Sequence, residues 1–294
     1  MTKRRMLVGL IGANIQGSMS PALFADAFVA AAIDGYYHLL DVDRLPERRL
    51  PHLLEAIKAA GFAGANVTYP FKQEIIPLLD LVDPEAAQVG AVNTVSIAPD
   101  GGTTGYNFDC RGWRNSFLEV LGSDSAQGKT VVQVGAGGAG RAVAFALMDL
   151  GVGALVIHDL DSARANALKV QLSSQYGPTR CRIAGDLERD IAAADGVVNA
   201  TQVGMQGFPG CPVPVAALKA THWAADLIYT PTQTAFLSAA AAKGAHVLNG
   251  GGMCVHQAVA AFQCLTGVTP ELGRLHHAFA TAVAARDAQL ATAS

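Results

Sequence analysis

Short apolar runs recur along the chain, each followed by a longer stretch in which apolar positions return every three or four residues. This alternation predicts buried strands joined by crossover helices, the pattern of an α/β protein built on parallel sheets. "MLVGLIG" at 6–12 is a first buried strand, followed by a helix near 21–33, a strand at "YYHLLDV", a helix near 50–60 and a strand at "GANVT". "AVNTVSIAPDGGTTGYNFD" reads as two short strands about a Pro-Asp-Gly-Gly turn, and "CRGWRNSFLEVLG" as a helix leaving them. At "GKTVVQVGAGGAG" the pattern starts again. "GALVIHDLD", "CRIAG", "ADGVVNAT", "WAADLIY" and "AHVLN" are its further strands, and the last forty or so residues are helical. The chain therefore divides into an α/β domain over 1–110 and a second over 111–254, with helices at 255–294 placed to fold back onto the first.

A chain of 294 residues accommodates two domains at roughly 100–200 residues each. Charged residues make up 15% of it against a typical ~25%, and 51% are hydrophobic, so both domains bury substantial cores. A net charge of −3 without a basic block argues against nucleic acid or anionic membrane as a partner. "TKRR" before "MLVGLIGANI" resembles the start of a signal peptide, but Asn14 and Gln16 interrupt the apolar part and no A-x-A site follows. No stretch approaches the ~18 apolar residues of a membrane span. The cysteines at 110, 181, 211, 254 and 264 form no C-x-x-C pair, and the adjacent His276 and His277 point in different directions on a helix. These features indicate a cytoplasmic protein with reduced, packing thiols and no metal site.

"VVQVGAGGAGRAVAFALMDLG" carries Gly135, Ala136, Gly137, Gly138, Ala139 and Gly140 between a strand and a helix, which is the setting that the G-x-G-x-x-G pattern requires. Glycines let the backbone approach a pyrophosphate whose charge meets the helix N-terminus. Asp159 ends the next strand, 19 positions beyond Gly140, close to the ~20 expected of a carboxylate that binds the adenosine ribose. The alternative is a cap for the following helix, a task that Asp161 could also perform. A different question arises in "GANVTYPFKQE", where Lys72 follows a Pro-Phe pair and Pro70 bars a continuing helix or central strand. Lys72 is either a surface side chain beyond a turn or a catalytic amine held in place.

Eight segments in order resemble the shikimate and quinate/shikimate dehydrogenases: "SMSP" at 18–21, "NVTYPFK" at 66–72, "AVNT" at 91–94, "GYNFD" at 105–109, "GAGGAGRA" at 135–142, "NATQVGM" at 199–205, "DLIYTPTQT" at 226–234 and "GGGMCVHQAVAAF" at 250–262. The resemblance implies that Lys72 and Asp109 form the catalytic pair. It implies that Ser18 and Ser20 hold a substrate carboxylate with Tyr229 nearby, that Thr68, Asn93 and Gln257 bind ring hydroxyls, and that Asn199, Thr201 and Gly252 belong with the cofactor. It also makes the first domain with the terminal helices the substrate lobe, and the middle of the chain a Rossmann-type nucleotide lobe. Taken singly, Asn93 could close a turn, Thr68 pair across strands and Ser20 cap a helix.

The reaction implied is hydride transfer between a ring alcohol of shikimate, with quinate as a second substrate, and a nicotinamide, giving 3-dehydroshikimate or 3-dehydroquinate. Such chemistry needs a positioned proton acceptor and polar groups to orient a polyol, which these residue types supply. The partner is a small cyclitol acid, and a homodimer is compatible with the reading. A paralogue acting on an amino-substituted ring acid and a sensor without turnover are the alternatives, the latter disfavoured by an intact Lys72 and Asp109.

The sequence departs from the family pattern at Gly17 before Ser18, at Phe24-Ala25 where His-Asn is common, and at Phe108 where a threonine is usual. All three are expected near the substrate pocket. Where NADP users carry Asn-Arg-Thr, Asp159-Leu160-Asp161 stands here, so NAD is the expected cofactor and NADP the less favoured one. Arg164 and Arg141 are the cations left to bear on NADP.

Overall fold

The structure is a computed structural model that describes residues 4–45 and 49–293, with side chains through residue 289. The Thr2-Lys3 part of the charged N-terminal stretch, and Ser294 at the end of the expected terminal helices, lie outside the described residues. The chain forms two compact units, Met1–Phe108 with Cys254–Ser294, and Asp109–Met253.

The first unit contains β1 (Arg5–Gly12), α1 (Ser20–Ala30), β2 (Asp34–Asp41), α2 (Leu50–Ala59), β3 (Gly64–Val67), β4 (Leu81–Val82), α3 (Pro84–Val89), β5 (Thr94–Ile97) and β6 (Thr103–Tyr106). Its sheet runs β2-β1-β3-β5-β6-β4. β1 pairs parallel with β2 and β3, whereas β5 is antiparallel to β3 and β6. The antiparallel part follows from the tight turn between β5 and β6, where the Ala98 N–H donates to the Gly102 carbonyl at 2.8 Å. β4 is too short to leave a periodic signal. It is held by Asp80, whose Oδ2 accepts from the Thr103 N–H and hydroxyl, both at 2.8 Å.

Alternation along β2 sends Tyr37 and Leu40 to opposite faces of this sheet. On the Leu40 face, Leu50, Leu53, Leu54 and Ile57 of α2 pack with Ile11, Ala65, Val67 and Val95. On the other, Phe24 lies 4.6 Å from Tyr37 and 5.5 Å from Phe262 between ring centroids, and Phe28 lies 5.2 Å from Phe262. Each such buried ring contributes roughly 1.5–3 kcal/mol relative to exposure.

The second unit contains α4 (Asp109–Val120), β7 (Thr130–Val134), α5 (Gly138–Asp149), β8 (Ala154–His158), α6 (Ser162–Tyr176), β9 (Cys181–Ile183), α7 (Leu187–Ala193), β10 (Gly196–Asn199), β11 (Trp223–Asp226), α8 (Ala235–Ala242) and β12 (His246–Leu248). Its sheet is parallel in the order β12-β11-β10-β7-β8-β9. The chain enters at β7, winds outward through β8 and β9, and returns to β10 on the other side. That reversal creates a switch point between β7 and β10, where open α/β sheets bind ligands beyond the strand ends. Val134 and Asn199 stand in register there. α5 is buried along nearly its whole length, from Ala142 to Met148, as its apolar sequence requires.

The boundary between the units falls inside α9 (Gly251–Thr266), which is followed by α10 (Leu272–Ala293). α10 is tied to α1 by a two-pronged pair, Arg274 Nε and Nη2 to the Asp26 carboxylate at 2.6 and 2.9 Å. No helix among the described residues is long and apolar enough to cross a membrane.

Candidate active site

In the first unit the polar groups gather at the ends of β1, β3 and β5. The loop after β1 carries Ser18, and it is pinned by Gln16, whose amide donates to Asp41 at 2.7 Å, and by the Asn14 N–H, which donates to Asp43 at 2.7 Å. Ser18 Oγ accepts the Ser20 N–H at 3.2 Å, so Ser18 supplies the cap-like bond and Ser20 is the first residue of α1. Both serines are half-buried.

β3 ends at Val67, so Pro70 lies in the turn beyond it, and the Tyr69–Pro70 peptide is cis. The turn is fixed on two sides. The Tyr69 carbonyl accepts from the Ala13 N–H at 2.8 Å, and the Lys72 carbonyl accepts from the Val92 N–H at 2.7 Å. Lys72 is thus half-buried on a turn bonded to both the β1 loop and the residue before Asn93. Thr68, also half-buried, opens that turn and accepts the Phe71 N–H through its carbonyl at 2.9 Å.

Asn93 is buried, and its amide orientation is set by its neighbours. Its Oδ1 accepts from the Phe108 N–H and the Thr94 hydroxyl, both at 3.0 Å. A backbone N–H can only donate, so Nδ2 must face the other way, and it donates to Gln257 Oε1 at 3.2 Å. Thr94 in turn accepts from Asn66 Nδ2 at 2.9 Å, and Asn66 Oδ1 accepts the Tyr37 hydroxyl at 2.9 Å. Asn93 does not close a turn. It is the hub of a relay in which Tyr37, Asn66 and Thr94 are members that the motif reading left without a role. Polar residues inside otherwise apolar strands were the signal available for them.

The departures from the family pattern separate in the structure. Phe108 is half-buried and stacks on Tyr106, with centroids 5.7 Å and planes 10° apart. Gly17 is exposed. Phe24 is a core ring at 1% exposure, because its helix face packs on Tyr37, Phe28 and Phe262. Its link to Asn93 runs through Tyr37.

In the second unit the glycine loop opens α5. Gly135 has φ +106°, and a Cβ there would lie 2.6 Å from the Ala200 carbonyl; one on Gly140 would lie 2.4 Å from the Gly135 carbonyl. Gly137 and Gly138 are half-buried, no side chain caps α5, and space is open beside Gly137. The arrangement leaves the first N–H groups of the helix for an anion, as a pyrophosphate requires. Buried Ala136 and half-buried Ala139 complete the loop. Behind it, Gln133 Nε2 donates to the Gly135 and Gly140 carbonyls, each at 2.8 Å.

Asp159 is half-buried and Asp161 performs the capping, accepting from the Ala163 and Arg164 N–H groups at 3.0 and 3.3 Å. Asp159 Oδ2 accepts from the Ala136 N–H at 2.7 Å, tying the carboxylate to the glycine loop. Leu160 beside it is 98% exposed. Arg164 is paired with Asp161 at 3.3 Å, and Arg141 donates to Gln171.

Asn199 and Asp226, in register at the ends of β10 and β11, are both buried. Asn199 folds the loop that follows it: Oδ1 accepts from the Thr201 N–H at 3.0 Å and hydroxyl at 2.7 Å, and Nδ2 donates to the Val203 carbonyl at 3.1 Å. Nδ2 also donates to Asp226 Oδ1 at 3.0 Å. Burial pushes the Asp226 carboxyl up to about 6, against the Ile228, Thr234 and Asn199 donors that hold it down. Tyr229 is half-buried on the loop after β11, next to a cis Thr230–Pro231 peptide. Asp109 is buried as the first residue of α4, where a carboxylate suits the helix dipole. Gly252 lies near the start of α9 so close to α4 that a Cβ would meet Ser116 Oγ at 2.2 Å, so helix packing accounts for that glycine.

A glycine cradle at a helix N-terminus, a carboxylate at the end of the next strand and a switch point beside the cradle, between β7 and β10, define a dinucleotide-binding unit. Comparison with known proteins identifies what accompanies it. Residues 10–95 match the shikimate dehydrogenase substrate binding domain. The chain is 43% identical over 283 residues to the quinate/shikimate dehydrogenase (NAD(+)) of Corynebacterium efficiens, covering 95% of this chain and 99% of that one. It is 42% identical over 280 residues to the shikimate dehydrogenase (NADP(+)) of Streptomyces avermitilis, covering 94% and 95%. The quinate dehydrogenase from Corynebacterium glutamicum, solved in complex with NAD, superposes with a TM-score of 0.88 at 41% identity over 95% of this chain and all of that one. The chain belongs to the quinate/shikimate dehydrogenase family.

Proposed function

We propose that the protein oxidises shikimate, and quinate as a second substrate, at a ring alcohol with NAD as the preferred hydride acceptor. In this reading, residues 1–110 and 255–294 take the acid and residues 111–254 take the nucleotide. Bound NAD supplies the acceptor for the hydride, and the chain supplies everything else. The Gly135–Gly140 backbone receives the pyrophosphate, and Asp159 accepts from the ribose hydroxyls while repelling a 2′-phosphate. Asn199 and Thr201 shape the loop beside the cradle, and Gly252 lets the start of α9 pack against Ser116 of α4 within the second unit.

Ser18 and Ser20 hold the substrate carboxylate with Tyr229, and Thr68, Asn93 and Gln257 orient the ring hydroxyls. Lys72 and Asp109 take the alcohol proton as a pair. The observation that carries the reading is the backbone bond joining the Lys72 turn to Val92, the neighbour of Asn93, which ties the segment carrying the amine to the one carrying the oriented amide. The same reading places the enzyme in the cytoplasm, where the five free cysteines stay reduced.

Steady-state kinetics with shikimate and quinate, each with NAD+ and NADP+, tests the proposal. NAD+ should be favoured in kcat/KM by at least about tenfold, or about 1.4 kcal/mol. Asp159→Asn with Leu160→Arg should reverse much of that preference by removing the repulsion and adding a guanidinium for the phosphate. A wild type that favours NADP+ would overturn the role given to Asp159.

A further inference from the structure

The buried carboxylate at the end of β11 has no place in the chemistry just described, yet it joins the two loops that do. Asp226 Oδ1 accepts from Asn199 Nδ2 at 3.0 Å and from the Ile228 N–H at 3.0 Å, while Oδ2 accepts the Thr234 hydroxyl at 2.7 Å. Thr234 Oγ1 also accepts the Leu237 N–H at 3.2 Å, capping α8. One carboxylate therefore fixes the residue that shapes the loop after β10, the start of the loop after β11, and the far end of that second loop.

The first loop reaches the nucleotide cradle. The Ala200 N–H donates to the Val134 carbonyl at 2.7 Å, and the Ala200 carbonyl occupies the space that a Gly135 Cβ would need. The second loop carries Tyr229, and it is joined again to the first where the Gln206 N–H donates to the Thr230 carbonyl at 3.0 Å.

We propose that Asp226 is a positioning residue that locks the loops following β10 and β11 into one body, so that the wall of the dinucleotide cradle and Tyr229 are set together. This rests on the proposed function, in which Tyr229 meets the substrate and the cradle meets NAD. A neutral side chain could fill the same core position without the burden of a desolvated charge, which burial pushes up to about 6. Keeping a carboxylate there makes sense where its acceptor capacity is needed: an ionised carboxylate only accepts, and three donors from three chain segments converge on it. A ligand that orders one loop then prepares the other.

Asp226→Ala, Thr234→Val and Thr234→Ser enzymes separate positioning from mere structural support. KM for shikimate and kcat are measured at saturating NAD+, and the Kd for NAD+ by calorimetry, which needs no turnover. In Asp226→Ala, KM for shikimate and Kd for NAD+ should both rise about tenfold or more. Thr234→Val should move both in the same direction by less, and Thr234→Ser, which keeps the hydroxyl, should stay within twofold of wild type.

A folded Asp226→Ala with both constants within twofold of wild type overturns the proposal, as does a change in one constant with the other unmoved. If Asp226→Ala does not fold, the Thr234 pair decides by the same two constants. A wild type that binds NAD+ but turns over neither shikimate nor quinate defeats the functional reading instead. Calorimetry with NAD+ and with shikimate then still reports whether the two loops move together.

Discussion

In the first unit the groups that the proposed function gives to the ring include Asn93 and Gln257, which are held by other side chains: Tyr37 holds Asn66, Asn66 holds Thr94, Thr94 holds Asn93, and Asn93 meets Gln257. In the second unit the groups that the same proposal gives to the nucleotide are largely backbone N–H groups of the Gly135–Gly140 loop, bonded from behind by Gln133 and from beside by Asp159. A side chain presents a donor only as reliably as its neighbours fix its rotamer, so recognition of a polyol spreads into a network. A backbone cradle recognises charge through its path alone, so it depends on φ angles and close approaches. Substitutions should accordingly fail in different ways in the two units.

The largest effect is expected at Lys72. Lys72→Ala should lower kcat by roughly 10²–10⁴-fold with a smaller change in KM, as for a general acid–base group. A folded variant with near-normal kcat would remove Lys72 from proton transfer and leave the first unit a binding module.

Next is Gly135→Ala, which places a Cβ at φ +106° and 2.6 Å from the Ala200 carbonyl. Strain of about 1–3 kcal/mol should appear as weakened NAD+ binding by calorimetry and a lowered Tm. Unaltered NAD+ affinity would contradict the view that the path of the loop is what recognises the nucleotide.

Thr94→Val should give the opposite signature. It leaves Asn66 Nδ2 without its 2.9 Å acceptor and Asn93 Oδ1 with one fewer donor. Asn66 Nδ2 keeps its 3.4 Å contact to the Asn93 carbonyl and Asn93 Oδ1 keeps the Phe108 N–H, so the amide is held less firmly. Loss of one such bond is worth about 0.5–1.5 kcal/mol, so KM for shikimate should rise roughly two- to tenfold while the Kd for NAD+ stays put. If NAD+ binding moved as much, the relay would not be specific to the first unit.

The smallest effect concerns pH. The folded-state value of about 6 for Asp226 lies above its ordinary 3.8, so protonation favours the fold. That contribution is complete below the ordinary value and is lost as pH rises through about 6. From pH 5 to pH 8 the loss amounts to about 1.4 kcal/mol. Thermal unfolding of Asp226→Asn should therefore decline less over that interval than wild type, by a few degrees, and parallel curves would show that this carboxylate does not titrate in the fold.

Much of this was legible in the sequence. Apolar period and turn residues revealed the order of strands and helices, the restart at residue 130 and the hairpin between β5 and β6, because these signals are local. The glycine loop and Asp159 were legible for the same reason: a strand, a tight turn and a helix N-terminus lie within one short segment. The choice between Asp159 and Asp161 as helix cap was open until the bonds to Ala163 and Arg164 were seen. A motif position does not say which way a helix face turns; packing against Tyr37 and Phe262 decided that Phe24 is a core ring.

By itself, then, the sequence determined which elements form, where the anion-binding turn lies and which residue types are available for proton transfer. Only the tertiary structure decided which buried polar groups answer one another. Asn93 meets Gln257 across 164 positions, and Asn199 meets Asp226 across 27. The physical reason is that a buried donor must find an acceptor, which stands on a packed helix for Asn93 and on the neighbouring parallel strand for Asn199. The lateral order of the strands and the docking of helices, neither of which periodicity along the chain encodes, choose the partner.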